Sequence, residues 1–292
     1  MATIAPRTIA VEPPQRVRIY RHAFLTRLTH WTNALAILVL LMSGLQIFNA
    51  HPGLYWGQAG ADADAAKRWL EIGALPDGSG GMKGVTKIGP LMIGTTGVLG
   101  VSNSASGAAT AIGFPHWITL PSARDLATGR RWHFFFAWVL VLNGLTYLVG
   151  GLVSGHLRRE VVPTAADLRA SNIAHDIVTH AKLQFPTGED ARHYNVLQKL
   201  AYSGVIVLIL LMVFTGLTMS PSNDAAWHWL TSAFGGRQSA RSIHFIAAWS
   251  IVAFVIVHLL MVVLAGPVNE VRSMITGWFV LPQTRKTPEH RP

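Results

Sequence analysis

Four stretches of this chain run without a single Asp, Glu, Lys or Arg: residues 30–48, 134–153, 200–219 and 243–265. Each holds 19 to 23 residues, against the ~20 that an α-helix needs to cross a bilayer. A spanning segment has to satisfy its backbone polar groups internally, which selects helices. The pattern predicts an all-α integral membrane protein, a four-transmembrane-helix bundle with a long extracytoplasmic loop between helices 1 and 2.

The rest of the chain divides around these spans. A basic arm (1–29) precedes helix 1 (30–48), and the long connection (49–131) leads to helix 2 (132–153). A second connection (154–199) precedes helix 3 (200–219), a third (220–242) precedes helix 4 (243–265), and a tail (266–292) closes one membrane domain. The first span is too long in its apolar core, and lacks the small-residue cleavage site, to be a removable signal. In the long connection, "ADADAAKRWLEIG" reads as a short helix. The following "GSGGMKGVTKIGPLMIGTTGVLGVSNSASGAATAIG" is punctuated by glycine too often for a spanning helix. It reads as a re-entrant or extended surface excursion, an extracytoplasmic cap and docking surface for another subunit. The second connection reads as short amphipathic helices at the membrane surface ("TAADLRASNIAHDIVTHAKL"), and the third as a short aromatic interfacial loop.

Composition agrees with the pattern. Half of the residues are hydrophobic and 13% are charged, whereas soluble domains carry about 25% charged residues. An even number of crossings puts both termini on one side. That side carries 15 of the basic residues, including Arg7, Arg16, Arg18, Arg21 and Arg27 in the arm and Arg285, Lys286 and Arg291 in the tail. The other side carries nine, seven of them in the long connection, where the charge rule loses force. Both termini are therefore expected in the cytoplasm. The net charge of +10 finds partners in inner-leaflet lipids and calls for no nucleic acid. The absence of cysteine excludes thiolate zinc sites, cysteine-bound iron–sulfur clusters, disulfides and covalently attached c-type haem.

Of 13 histidines, four sit at the ends of the spans or inside them: His30, His133, His244 and His258. His244 and His258 are 14 residues apart on helix 4. That spacing is about 21 Å of rise and about 40° short of four full turns, so both imidazoles face one side near opposite membrane faces. The topology matches His133 in depth with His244, and His30 with His258. Two histidines facing across a bundle are suitable axial ligands for haem iron. His22, eight residues earlier, is the alternative to His30. Gly44 and Gly216 lie at the level of one site, where a missing side chain leaves room for a porphyrin. The endings "LLMSGLQ" of helix 1 and "MVFTGLTMSP" of helix 3 share a hydroxyl residue followed by glycine at that depth.

"RHAFLTRLTHWTNALAILVLLMSG", the His133 helix and "ARSIHFIAAWSIVAFVIVHLLMVVLAGP" resemble the di-haem cytochrome b subunits of Ni/Fe-hydrogenase, formate dehydrogenase and thiosulfate reductase. The family is bacterial and cytochrome b561-like, and the long first connection is most similar to its thiosulfate-reductase-like branch. The resemblance implies two non-covalent, bis-His b-type haems on His30, His133, His244 and His258, in a bacterial inner (plasma) membrane. It also implies a periplasmic redox subunit as partner, a molybdopterin enzyme. "RHYNVLQKLAY" is similar to the stretch bordering the quinone site in formate dehydrogenase cytochromes. That similarity implies Asn195 and Gln198 as hydrogen-bonding groups for a ubiquinone or menaquinone carbonyl, with Lys199 nearby. Arg27 lies near the inner haem, and Arg130, Arg131, Arg237 and Arg241 near the outer one, where they suit haem propionates or an acidic partner.

With both axial positions taken, neither iron would bind substrate, so the expected role is electron transfer between quinone and the outer partner, as one subunit of an oxidoreductase complex. A stand-alone cytochrome oxidising a small species such as superoxide at its outer face is the alternative. A haem-free proton channel or transporter fits less well, since the spans lack the intramembrane carboxylates and paired charges such pathways use.

Overall fold

The computed structural model describes residues 17–60, 62–103, 107–183 and 194–281. Arg7, Arg16, Arg192, His193, Arg285, Lys286, His290 and Arg291 lie outside them. Among the described residues, four helices are long and apolar enough to span a membrane: α1 (Phe24–Phe48), α2 (Leu126–Val153), α4 (Val196–Thr218) and α7 (Arg237–Ala265). Each contains the corresponding apolar window or most of it and continues past it into polar sequence. Their outward faces present Leu142, Val149, Val207, Ile256 and Val263 largely exposed. A surface of that kind is stable against hydrocarbon and not against water.

The spans pair as two helical hairpins, α1 with α2 and α4 with α7. Within the first, the Asn143 side-chain amide donates to the Thr29 carbonyl (2.8 Å) and to Asn33 Oδ1 (2.7 Å). Such interhelical bonds join helices where lipid tails give no hydrophobic drive for association. Asp125 caps α2 by accepting from the Thr128 amide at 3.0 Å.

Both described ends lie on one side of the bundle. β1 (Arg18–Tyr20) pairs antiparallel with β8 (Trp278–Val280), Tyr20 opposite Trp278. The short helix α8 (Pro267–Thr276) folds back to α1, where the Trp31 indole donates to the Met274 carbonyl at 3.0 Å. This end is termed the arm side. The second connection lies there too and contains the amphipathic helix α3 (Ala170–Ala181), as its sequence predicts.

The first connection departs from an all-helical architecture. After a 3-10 segment at Asp62–Lys67 it forms a four-stranded antiparallel sheet of β2 (Gly53–Leu54), β3 (Leu70–Pro76), β4 (Met82–Ile88) and β5 (Leu91–Gly94). A two-stranded sheet of β6 (Gly100–Asn103) and β7 (Ala109–Ile112) completes it. "WLEIG", expected to be helical, enters β3, where Leu70 and Ile72 alternate inward. The glycines permit close backbone crossings. A Cβ on Gly84 would lie 2.0 Å from the Leu99 carbonyl oxygen, and one on Gly100 (φ +86°) 2.2 Å from that of Gly73.

The sheet sits on the bundle. Leu70, Ile72, Leu54 and Phe114 share a core with Leu45 and Phe48 of α1, flanked by Phe245 of α7. The Trp69 indole donates to Ser242 Oγ (2.9 Å), whose hydroxyl donates to the Tyr55 carbonyl (2.6 Å). This end is termed the sheet side. Two small helices, α5 (Pro221–Ala226) and α6 (His228–Ala233), close the same side between α4 and α7.

Candidate functional site

Two histidine pairs form within the bundle, one toward each side. On the sheet side, His133 of α2 and His244 of α7 have ring centres 6.3 Å apart at a 57° tilt. On the arm side, His30 of α1 and His258 of α7 have ring centres 6.4 Å apart at 55°. The structure brings His30, not His22, opposite His258. His22 is buried at the start of α1 beside Arg21, and burial together with that guanidinium holds its imidazole at about 4.

The sheet-side pair is oriented by hydroxyls. Ser43 Oγ lies 2.7 Å from the Val39 carbonyl oxygen and 3.1 Å from His133 Nδ1. A carbonyl only accepts, so the single hydroxyl proton goes to Val39 and Nδ1–H must donate to Oγ. Thr215 repeats the arrangement, donating to the Leu211 carbonyl (2.6 Å) and accepting from His244 Nδ1 (2.9 Å). Both imidazoles are thereby fixed in the tautomer that leaves the Nε2 lone pair free for a metal. On the arm side, His258 stacks on Phe254 (5.7 Å, 14°) and His30 meets the edge of Trp31 (5.2 Å). His30 Nδ1 is buried with no hydrogen-bond partner among the described residues.

Gly44 and Gly216 lie beside the sheet-side pair, at the level their spacing predicts. A Cβ on Gly44 would stand 3.3 Å from His133 Cε1, and one on Gly216 3.6 Å from His244 Cε1. Each glycine seats an imidazole against the neighbouring helix. The Ser-Gly and Thr-Gly pairs shared by helices 1 and 3 therefore make matching contacts with the two imidazoles, and Ser43 and Thr215 are the site neighbours that the sequence pattern alone did not single out.

These pairs fit haem. Metal–nitrogen bonds of about 2 Å on each side, with roughly 1 Å from nitrogen to ring centre, separate two axial imidazoles by about 6 Å, close to both observed spacings. No cluster of three or more His, Asp or Glu side chains suited to a metal exists among the described residues. Two imidazoles alone would leave a metal ion under-coordinated, and a porphyrin would supply the remaining donors.

The other expected residues are engaged elsewhere. Asn195 and Gln198 form a capping box on α4: Asn195 Oδ1 accepts from the Gln198 amide (2.9 Å) and Gln198 Oε1 from the Asn195 amide (3.1 Å). Asn195 Nδ2 lies 3.3 Å from His180 Nε2. Lys199 pairs with Asp167 at 2.9 Å, whose carboxyl is held below its usual range by the Thr164 amide and by Lys199. Arg27 donates to the Ile275 carbonyl and Arg237 to that of Met219 (3.0 Å). Arg241 donates to the carbonyls of Gly53 (3.0 Å) and His51 (2.5 Å), bolting the sheet to α7 one turn before His244. Arg130 stacks over Phe134 at 5.6 Å.

Comparison with known proteins follows the same lines. The profile of the prokaryotic cytochrome b561 family matches residues 21–277. A protein of Azospira oryzae described as a putative protein-methionine-sulfoxide reductase subunit, YedZ1, is 29% identical over 251 residues, covering 86% of this chain and 93% of the relative. With its four spanning helices, the chain belongs to the prokaryotic cytochrome b561 family and is a membrane cytochrome b of electron transfer.

Proposed function

We propose that the chain holds two b-type haems, one on His30 and His258 and one on His133 and His244, and carries electrons between a quinone on the arm side and a redox subunit on the sheet side. The observation that carries this reading is the pair of facing imidazole couples, 6.3 and 6.4 Å between ring centres, about 21 Å apart along α7. Haem held by two imidazoles would supply single-electron transfer and offer substrate no open site. The chain's own contribution is to fix distance and orientation, through Ser43 and Thr215 on one side and Phe254 and Trp31 on the other.

The distribution of basic residues supports placing the arm side in the cytoplasm of a bacterial inner membrane. The relative's description as a reductase subunit, with the resemblance to thiosulfate-reductase-like cytochromes, supports a periplasmic catalytic partner, a molybdopterin enzyme, at the sheet side. For the quinone, the capping box turns the oxygen of Gln198 to the backbone and leaves its amide N–H groups as donors to a quinone carbonyl. Asn195 shapes the same corner, and Lys199, paired with Asp167, stands beside it.

The test is haem quantification with a reduced-minus-oxidised spectrum of the purified protein. Two b haems per chain are expected, falling to one in His258→Ala, with the sheet-side haem retained. A haem-free protein, or His258→Ala that keeps both haems, would overturn the assignment.

A further inference from the structure

The β3–β4–β5 sheet has two ends of opposite character. At one, the turn after β3 is polar: Asp77 Oδ1 accepts from the amides of Ser79 and Gly81, both at 2.8 Å. At the other, β4 turns into β5 through Gly89 (φ +55°) and Pro90, with Ile88 paired to Leu91. The segment 88–94 carries no ionisable side chain. Its apolar side chains face out: Ile88 is 44% exposed, Leu91 57%, Met92 58% and Ile93 42%.

The position of this second end gives the exposure its meaning. Ile88 and Trp69 form an open apolar groove with Phe245, Ile246, Trp249 and Ala253 of α7. Those α7 residues lie two to ten positions inside the uncharged window that begins at Ile243. At 1.5 Å per residue that is about 3 to 15 Å of depth, within the half of a hydrocarbon core that is ~30 Å thick. The turn hangs beside a membrane-spanning helix at a level where lipid surrounds that helix.

We propose that the β4–β5 turn, with Ile88, Leu91 and Met92 at its tip, inserts into the sheet-side leaflet, its occupant being lipid hydrocarbon. β5 is an edge strand, and unpaired edge backbone groups are costly in hydrocarbon. The insertion is therefore confined to the tip, where Ile88 pairs with Leu91 and Pro90 has no N–H to strand. Lys87, next to the tip, is placed to reach anionic headgroups with its ammonium while its stem stays among apolar neighbours. An interfacial apolar element of this kind penetrates ~5–10 Å. It holds the sheet down against the helix ends that carry His133 and His244.

The chain has no cysteine, so single-cysteine probes are direct. Met92→Cys and Ser79→Cys, each labelled with bimane, are placed one chain per nanodisc, with and without lipids spin-labelled near the headgroup. Comparing each variant with itself cancels any quenching by haem. The Met92→Cys label is expected to lose at least half of its emission to the spin-labelled lipid, and the Ser79→Cys label to be unchanged. Equal responses at the two positions would overturn the proposal: neither quenched would leave the tip in water or against protein, and both quenched would lay the whole sheet on the bilayer. Neither outcome depends on how many haems the chain binds.

Discussion

Ser43 and Thr215 show how much one hydroxyl decides. Each spends its proton on its own helix and presents a lone pair to the imidazole of the adjacent span. Ser43→Ala would remove the hydroxyl that accepts from His133 Nδ1–H and leave it only the Leu40 carbonyl, a loss of about 1 kcal/mol, and would loosen the ring's orientation. The expected result is a weakened sheet-side haem with a shifted midpoint potential, while the arm-side haem keeps its own. Ser43→Thr, which restores the hydroxyl, should restore both signals. A redox titration resolving the two haems reads this, and an Ala variant with unaltered potentials would remove the orienting role. The four histidines stood out in the sequence because imidazoles near lipid depth need a partner. The hydroxyls did not, because serine and threonine in spanning helices routinely bond back to their own carbonyls. Their only sign was the shared Ser-Gly and Thr-Gly pattern, whose meaning depends on which helix lies opposite.

At the level of elements, the spans were legible because a bilayer imposes one length and one polarity on a crossing helix. The first connection was not. Its strands are short, its alternation is broken by glycines, and the reason for those glycines, backbone crossing backbone at Gly84 and Gly100, is tertiary. The start of α4 raises a sharper question, since Asn195 is both a helix cap and a residue that the family resemblance puts beside quinone. Substitution separates the two roles. Asn195→Ala removes the cap and should cost about 1 kcal/mol of stability, whereas Asn195→Asp keeps a capping oxygen and loses the amide donor. If the amide touches quinone, Asn195→Asp should keep the melting temperature and raise the KM for quinol. If the amide meets only His180, Asn195→Asp should leave the KM for quinol unchanged.

At the scale of the molecule, the two helical hairpins are each well packed internally, α1 on α2 and α4 on α7, while contacts between the hairpins within the membrane are sparse. Each histidine pair takes one member from the first hairpin and one from the second: His30 and His133 from α1 and α2, His258 and His244 from α7. A haem on each pair would join the hairpins at two depths, and the sheet, bolted through Arg241 and Ser242 to α7 and packed on Phe48 of α1, joins them at a third. Binding that favours the assembled bundle stabilises it by mass action, by about 2.7 kcal/mol for each ligand at a hundred times its dissociation constant. The His244→Ala, His258→Ala double variant should thus melt well below the unsubstituted protein, and its arm-side half should open first, since only the three-residue β1–β8 ladder and the α8 contacts join the hairpins there. Hydrogen exchange in nanodiscs reads this as faster labelling at the arm-side ends of α1, α4 and α7, with the β3–β4 core still protected. A double variant that melts with the parent and exchanges like it would show that helix packing alone holds the bundle together.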